Sequence, residues 1–314
     1  YFLAYKDGKI AGRVAAIINH VANTDWKEKV VRFGWIDFID DYEVSSALVK
    51  AVLDWGKERE MEYIKGPLGF SDMDKEGLLV EGYENLPSIT CIYNYPYYVT
   101  HLERMGFVKD ADWVQDIIDI PDHLPEKLAR FEAVVKERYG YKVMYPKRNS
   151  EYRKRGLEIF DVMNSSFTNL YEYSRLNDEQ IKDYVNQYLP FVDRDLTCIL
   201  LDEKDDVIGF AVTIPSLSKA FRKAGGKLFP FGLIHILRGL KGDGLLEELM
   251  IGVKPEHQGK GLNSIIFSHV FKGAKKYGMK KMVTNPRLET NSRVFRIFDY
   301  FNPQLYMRRR CYKA

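Results

Sequence analysis

The sequence predicts a mixed α/β chain made of two successive domains of one plan, and three observations carry that reading. The order hairpin, strand, helix, strand, helix, strand occurs twice. Strand-period and helix-period apolar patterns alternate instead of forming separate blocks. The length of 314 residues suits two domains.

In the first domain, apolar runs Tyr1–Tyr5 and Ile10–Ile18 flank Lys6-Asp7-Gly8-Lys9 and read as a β-hairpin. The chain opens on Tyr1 instead of Met, inside a strand-like run, so the first strand and helices of this domain are expected upstream. Val30–Ile39 reads as a strand. A helix follows from Val44 to Arg59, with Val44, Ala47, Leu48, Ala51, Val52 and Trp55 at helical spacing. Asp40, Asp41 and Glu43 suit its positive end. Tyr63–Lys65 is a short strand, and Gly66–Pro96 a long ordered loop dense in aromatics. Tyr97–Met105 reads as a helix stopped by Gly106, and Trp113–Ile120 as a strand.

The helix Leu124–Arg138 fills a linker over residues 122–140, between domains at 1–121 and 141–314. The second domain starts on strand Tyr141–Tyr145, with helices at Tyr152–Phe167 and Asn177–Tyr188. Leu196–Asp202 and Val207–Ile214 repeat the opening hairpin, and Ser216–Gly242 is an insertion with helical pattern. Then come strand Leu245–Val253, helix Gly261–Tyr277, strand Lys281–Asn285, helix Asn291–Tyr300 and strand Leu305–Tyr312.

Composition narrows the function. Hydrophobic residues at 46% and charged residues at 29% describe a globular chain. A net charge of +3 does not call for nucleic acid, and Arg308-Arg309-Arg310 reads as a solvated strand end. Cys91, Cys198 and Cys311 are far apart with no CxxC pair, which argues against a zinc site or a disulfide framework and fits a cytoplasmic location. No metal site and no membrane-spanning helix are expected.

Chemistry concentrates in Leu246–Leu262, where a strand runs into a turn holding Gly259 and Gly261 and then into a helix. Glycines there let backbone N–H groups approach a ligand, the helix dipole favours an anion, and Lys260 adds charge, so a pyrophosphate fits. By itself the glycine spacing reads better as an ordinary strand–turn–helix connection. The string Gln258-Gly259-Lys260-Gly261-Leu262-Asn263, after Val253-Lys254-Pro255, resembles motif A of the GNAT N-acetyltransferase superfamily. Asn263 departs from it, standing where the family has Gly or Ala.

The resemblance implies an α/β (α+β) fold of two GNAT-like mixed-sheet domains in tandem, the first lacking its N-terminal elements. It implies acetyl-CoA or another acyl-CoA as co-substrate, held by Ile251, Val253, Gln258, Gly259, Lys260, Gly261, Leu262, Asn263 and Asn291. Glu247 matches the family's general base, with Glu248 on the opposite sheet face. Strand N–H groups at Ile251–Val253 would polarise the thioester carbonyl. Phe298 stands where the family's acid Tyr is found, and Tyr300, two residues on, is the phenol left for that role. With no cysteine beside the motif, the amine is expected to attack directly. His257 reads as a loop residue, and His235 lies in the insertion.

The first domain resembles the same core without its cofactor loop, because Asp40-Asp41-Tyr42-Glu43-Val44-Ser45 offers carboxylates and no glycine. Its long loop carries Asp72, Tyr93, Asn94 and Tyr97, which either pack the loop or bind acceptor; Asp72, Glu81 and Glu84 would favour a cationic amine. The pairing resembles tandem-GNAT proteins such as N-myristoyltransferases and Fem-type aminoacyl transferases. The implied activity is acyl-CoA-dependent N-acylation of a small-molecule or peptide amine. The alternatives are a non-catalytic binding module of GNAT ancestry and a Fem-type aminoacyl transferase, and the sequence leaves the oligomeric state open.

Overall fold

The computed structural model describes residues 1–146, 148–168, 170–189, 192–291 and 297–314. The first half contains β1 (Phe2–Lys6), β2 (Lys9–Ile17), α1 (His20–Asp25), β3 (Val30–Phe38), α2 (Tyr42–Lys57), β4 (Tyr63–Gly66), β5 (Leu78–Glu81), α3 (Tyr97–Arg104) and β6 (Val108–Asp119). Helix α4 (Glu126–Tyr139) links it to β7 (Lys142–Val143), α5 (Asn149–Phe167), α6 (Asp178–Tyr188), β8 (Thr197–Leu201) and β9 (Val207–Pro215). Then follow α7 (Ser218–Ala224), α8 (Gly232–Gly239), β10 (Leu245–Val253), α9 (Leu262–Lys276), β11 (Lys281–Val283), β12 (Arg287–Leu288) and β13 (Gln304–Lys313). Both expected hairpins form, as do the insertion helices. Helix α1 and strand β5, the latter inside the long loop, carry no period strong enough to read from sequence. The helix expected over Asn291–Tyr300 falls largely on residues 292–296, outside the described residues; Asp299–Phe301 is a 3-10 turn.

All strands join one sheet, in the order β1-β2-β3-β4-β13-β6-β11-β10-β9-β8-β7. The last strand of each half lies beside the other half. β13 pairs with β4 at Tyr312↔Gly66, and β6 pairs with β11 from Lys281↔Asp119 to Val283↔Ile117. β13 and β6 also pair with each other, from Gln304↔Ile117 to Lys313↔Val108. Side chains follow the exchange: Tyr312 packs into the first-half core with Val31, Leu48 and Leu102, and Ile118 into the second-half core with Ile265 and Phe271. The boundary near residue 121 thus divides the chain but not the sheet.

An ion-pair network reinforces the seam. Glu172 accepts from Arg32 Nη2 and from Lys65 Nζ, each at 2.6 Å, with all three side chains almost fully buried. Removing one member would leave a buried charge unpaired, which is what makes such a network costly to break. The basic run is no solvated strand end, because β13 lies inside the sheet. Arg309 is buried, while Arg308 and Arg310 pair with Asp112 of β6.

The two halves share a local plan and differ where a ligand would enter. β3 and β4 run parallel from Val30↔Tyr63 to Arg32↔Lys65, as β10 and β11 do from Leu245↔Lys281 to Glu247↔Val283. Beyond that point the first half closes, with Leu68 N–H donating to Phe33 O at 2.9 Å. The following helix is sealed too, since Asp41 Oδ1 accepts from the N–H groups of Glu43 and Val44 and Asp41 also pairs with Lys6. The helix that follows β3 therefore offers no free N-terminal end to an anion.

Candidate active site

Strand β10 is paired on one edge only, past Glu247. Its partner β11 ends at Val283, and β9 stays paired along β10 to Val253↔Gly209. Lys254 N–H donates to Ile208 O on the β9 side. By antiparallel alternation, the N–H groups of Ile251 and Val253 point to the open edge. A β-bulge between Glu248 and Met250 inserts one residue opposite Thr213 and Val212 and bends the strand.

At the far end of β10 the chain makes a 3-10 turn, Pro255–His257, and enters α9 through Gly259 (φ +76°) and Gly261 (φ +83°). Only glycine takes these left-handed angles without strain. Gln258 Nε2 donates to Val253 O at 3.0 Å and folds the turn back on the strand. Among the described residues, no acceptor lies within hydrogen-bond reach of the N–H groups of Gly259, Lys260, Gly261, Leu262 and Asn263. A Cβ on Gly259 would meet no atom within 4 Å, so no side chain plugs the turn. The Leu262 side chain is buried in the core and leaves its amide facing out. Five donors, a helix N-terminus and the Lys260 ammonium thus fit a pyrophosphate. His257 is bound to Tyr141 by Nδ1 at 2.7 Å, a packing role.

Where β10 and β11 separate, a cavity of about 270 Å³ opens between the halves. Glu248, Met250, Ile251, Asn285 and Asn291 line it from the second half; Asp72, Asp74, Glu76, Cys91 and Trp113 line it from the first. Glu248 is buried and accepts from the N–H of Asn285 at 3.3 Å, and loss of solvent pushes its carboxyl up to about 7, against the opposing charge of Arg287. Asp72 Oδ2 is shut off from water and has no hydrogen-bond partner among the described residues. Burial pushes the carboxyls of Asp72 and Glu76 upward, and the Asp72 charge adds to the rise at Glu76.

Several residues picked from sequence lie away from the cavity. Glu247 does not line the cavity: its carboxylate accepts from Ser216 Oγ (2.5 Å), Ser218 Oγ (3.1 Å) and Ile89 N–H (3.1 Å) and ties three segments together. Glu248, across the sheet, faces the cavity instead. Tyr300 is 39% exposed under Lys127 and lies outside the lining. Phe298 is 1% exposed, packed edge-on against Phe267. Truncating Phe298→Ala should therefore cost about 3–5 kcal/mol of stability, read by denaturant melts. Two phenols do reach the cavity, Tyr171 and Tyr188, which no motif pointed to. The hydroxyl of Tyr171 is committed to Asp110 and Cys311. Tyr188 makes no such bond among the described residues, and burial raises its pKa.

Of the four acceptor-site residues picked from the long loop, only Asp72 lines the cavity. Asn94 is buried and braces β5 through Leu79 N–H (2.6 Å). Tyr97 donates to Phe38 O (2.7 Å) and stacks on Tyr95, and Tyr93 meets Tyr83 and Tyr95 edge-on. These three pack the loop. Cys91 also enters the lining, brought by the first half; its Sγ lies 3.6 Å from Gln115 Oε1, and no base contacts it among the described residues.

A splayed β10–β11 pair, a bulge at the fork and an uncapped, glycine-opened helix together form a strand fork that leads to a helix end suited to an anion. The sequence model of the acetyltransferase (GNAT) family matches residues 157–298, within the second half of the chain. Among named proteins, the chain is 26% identical over 325 residues to Protein YghO of Escherichia coli (strain K12), covering 99% of this chain and 81% of that protein. It is 24% identical over 261 residues to the bacterial ceramide synthase of Caulobacter vibrioides (strain NA1000 / CB15N), covering 82% and 67%. Among solved structures it superposes on a tandem GNAT protein from the clavulanic acid biosynthesis pathway with TM-score 0.54 and 9% identity, over 99% of this chain and 81% of that one. A glucosamine N-acetyltransferase region of a fungal multi-domain β-N-acetylglucosaminidase gives TM-score 0.57 and 16% identity, over 98% of this chain and 32% of that one. These likenesses establish tandem GNAT architecture.

Proposed function

We propose that the protein is an acyl-CoA-dependent N-acyltransferase acting on a cationic amine, with Glu248 as the general base. The observation that carries this reading is Glu248 at the fork of β10 and β11, beside the open strand edge and across the cavity from the acidic trio Asp72, Asp74 and Glu76. The Caulobacter relative's name, ceramide synthase, supports amide formation on an amine.

Acyl-coenzyme A supplies the activated acyl thioester. Its pyrophosphate fits the amides of Gly259–Asn263 and Lys260, and Asn291 stands at the fork. From Glu248 to Val253 the strand spans about 17 Å, a length an extended pantetheine arm can follow along the open edge. The amine arrives as an ammonium, for which Asp72 Oδ2 offers an unpaired buried acceptor. Glu248 takes its proton, since a carboxyl raised to about 7 is matched to that transfer near neutrality. N–H groups on the open edge at Ile251 and Val253 are placed to stabilise charge on the acyl oxygen. Tyr188 is the phenol free to return a proton. With no base at Cys91, attack by the amine is direct.

The test is thiol release from acyl-CoA in the presence of a panel of amines, alongside mass detection of the amide. Absence of turnover with every amine, despite coenzyme A binding, would sink the enzymatic reading. Asp72→Asn should raise KM for a cationic amine at least tenfold and leave kcat within a few-fold, because the carboxylate charge that faces the ammonium is lost and an amide N–H can stand in its place.

A further inference from the structure

The insertion between β9 and β10 does not contribute to the cavity. Helices α7 and α8 pack against each other, with Gly239 against Leu217 and Ala220. The loop joining them is a held structure: Leu233 N–H donates to Leu228 O at 2.8 Å, and a Cβ on Gly232 would stand 1.8 Å from Lys227 O. Yet its apolar side chains point to solvent. Leu228 is 55%, Phe229 75% and Phe231 66% exposed, and Phe221, Ile234 and Leu237 are exposed around them. Residues 216–242 contain no Asp or Glu. Arg222, Lys223, Lys227, Arg238 and Lys241 flank the apolar tip and form no ion pair among the described residues.

We propose that the α7–α8 hairpin docks the protein on the surface of an anionic phospholipid bilayer. The apolar tip enters the boundary of headgroups and acyl chains, and the basic rim meets the phosphate layer. Two features favour lipid over a protein partner. Exposed apolar groups this concentrated mark an interaction site, but protein interfaces are depleted in Lys, and here Lys223 and Lys227 lead into the tip. An unbroken positive sign matches a lipid surface of uniform negative charge. No helix among the described residues is long and apolar enough to cross a membrane, so the attachment is interfacial. The root of the hairpin, Ser216 and Ser218, is bound to Glu247, one residue from Glu248. Docking there anchors the lipid surface directly to the strand that carries the base.

The experiment is co-sedimentation of the full chain with vesicles of phosphatidylcholine alone or mixed with phosphatidylglycerol, at low and high salt. Binding is expected to the mixed vesicles, at least about tenfold weaker to phosphatidylcholine alone and weakened by salt. Leu228→Ser with Phe229→Ser and Phe231→Ser should lower partitioning at least about tenfold with the melting temperature unchanged. Should that variant fail to fold, Phe229→Cys carrying an environment-sensitive dye gives a second reading, a blue shift on adding mixed vesicles. The buried native cysteines stay unlabelled. Wild-type protein that ignores mixed vesicles, a folded serine variant that binds as wild type, or an unshifted dye overturns the proposal. A hairpin-dependent dimer in light scattering that vesicles do not dissociate overturns it in favour of a protein interface. Acyl transfer is not read in any arm, so these outcomes are independent of the enzymatic reading.

Discussion

Glu248→Gln should lower kcat at least about 100-fold and leave the KM for acyl-CoA nearly unchanged, the range set by losing a positioned general base. Gln keeps the shape and can still accept from Asn285 N–H, so the fork survives while the proton acceptor does not. The pH profile gives a second reading. Glu248 works only when ionised, so wild-type kcat should rise through about pH 7 as its raised carboxyl loses its proton. Residual activity of the variant should lack that limb. Stability moves in the opposite sense. A carboxyl whose folded pKa lies above its unfolded value stabilises the fold fully below the unfolded pKa, and that contribution is lost as pH rises through the folded one. From about pH 4.5 to 7 the variant should therefore gain on wild type, by roughly 3 kcal/mol at the upper end. Denaturant melts at the two pH values measure it. A variant as active as wild type would remove Glu248 from the mechanism.

Gly261→Val should abolish the response to coenzyme A. Wild type is expected to gain about 2.7 kcal/mol when coenzyme A is present at 100 times its dissociation constant. The substitution forces a branched residue to φ +83° and sets its Cβ 3.1 Å from Val135 Cγ2, so the turn must leave its present shape and the converging amides with it. Without ligand the variant should lose about 1–2 kcal/mol from backbone strain. The two melts separate fold from site: lower apo stability with no ligand increment is the expected pair. An undiminished increment would show that the amides of Gly259–Asn263 do not hold the pyrophosphate.

Much of the frame is legible in the sequence because it rests on local rules. The turn at Gly259 and Gly261 follows from glycine's freedom at positive φ, and the α2 stripe from helical periodicity. The acidic residues at the start of α2 are legible too, and Asp41 acts there by capping the helix. The site is less legible, for two physical reasons. The resemblance marks Glu247, while the bulge between Glu248 and Met250 shifts the alternation of the strand beyond it, and periodicity does not announce a bulge. Alternation does put Glu247 and Glu248 on opposite faces. Which face looks into a cavity depends on loops more than 150 positions away, at Asp72–Glu76 and Ile89–Cys91. The same holds for Tyr188, whose place in the lining has no motif behind it, and for Tyr93 and Tyr97, whose composition suits packing as well as binding.

The crossed placement of β6 and β13 bears on how this protein can be cut, recombined or inherited. Severed in the linker, each fragment would carry a ribbon that belongs in its neighbour and a vacant slot where its neighbour's ribbon belongs. Each half therefore completes its sheet with a strand of the other, and a cut in the linker is expected to leave both pieces with an unpaired strand edge. Variation that leaves the frame closed is then confined to loops such as Asp72–Glu76, which line the cavity without carrying a strand of the shared sheet.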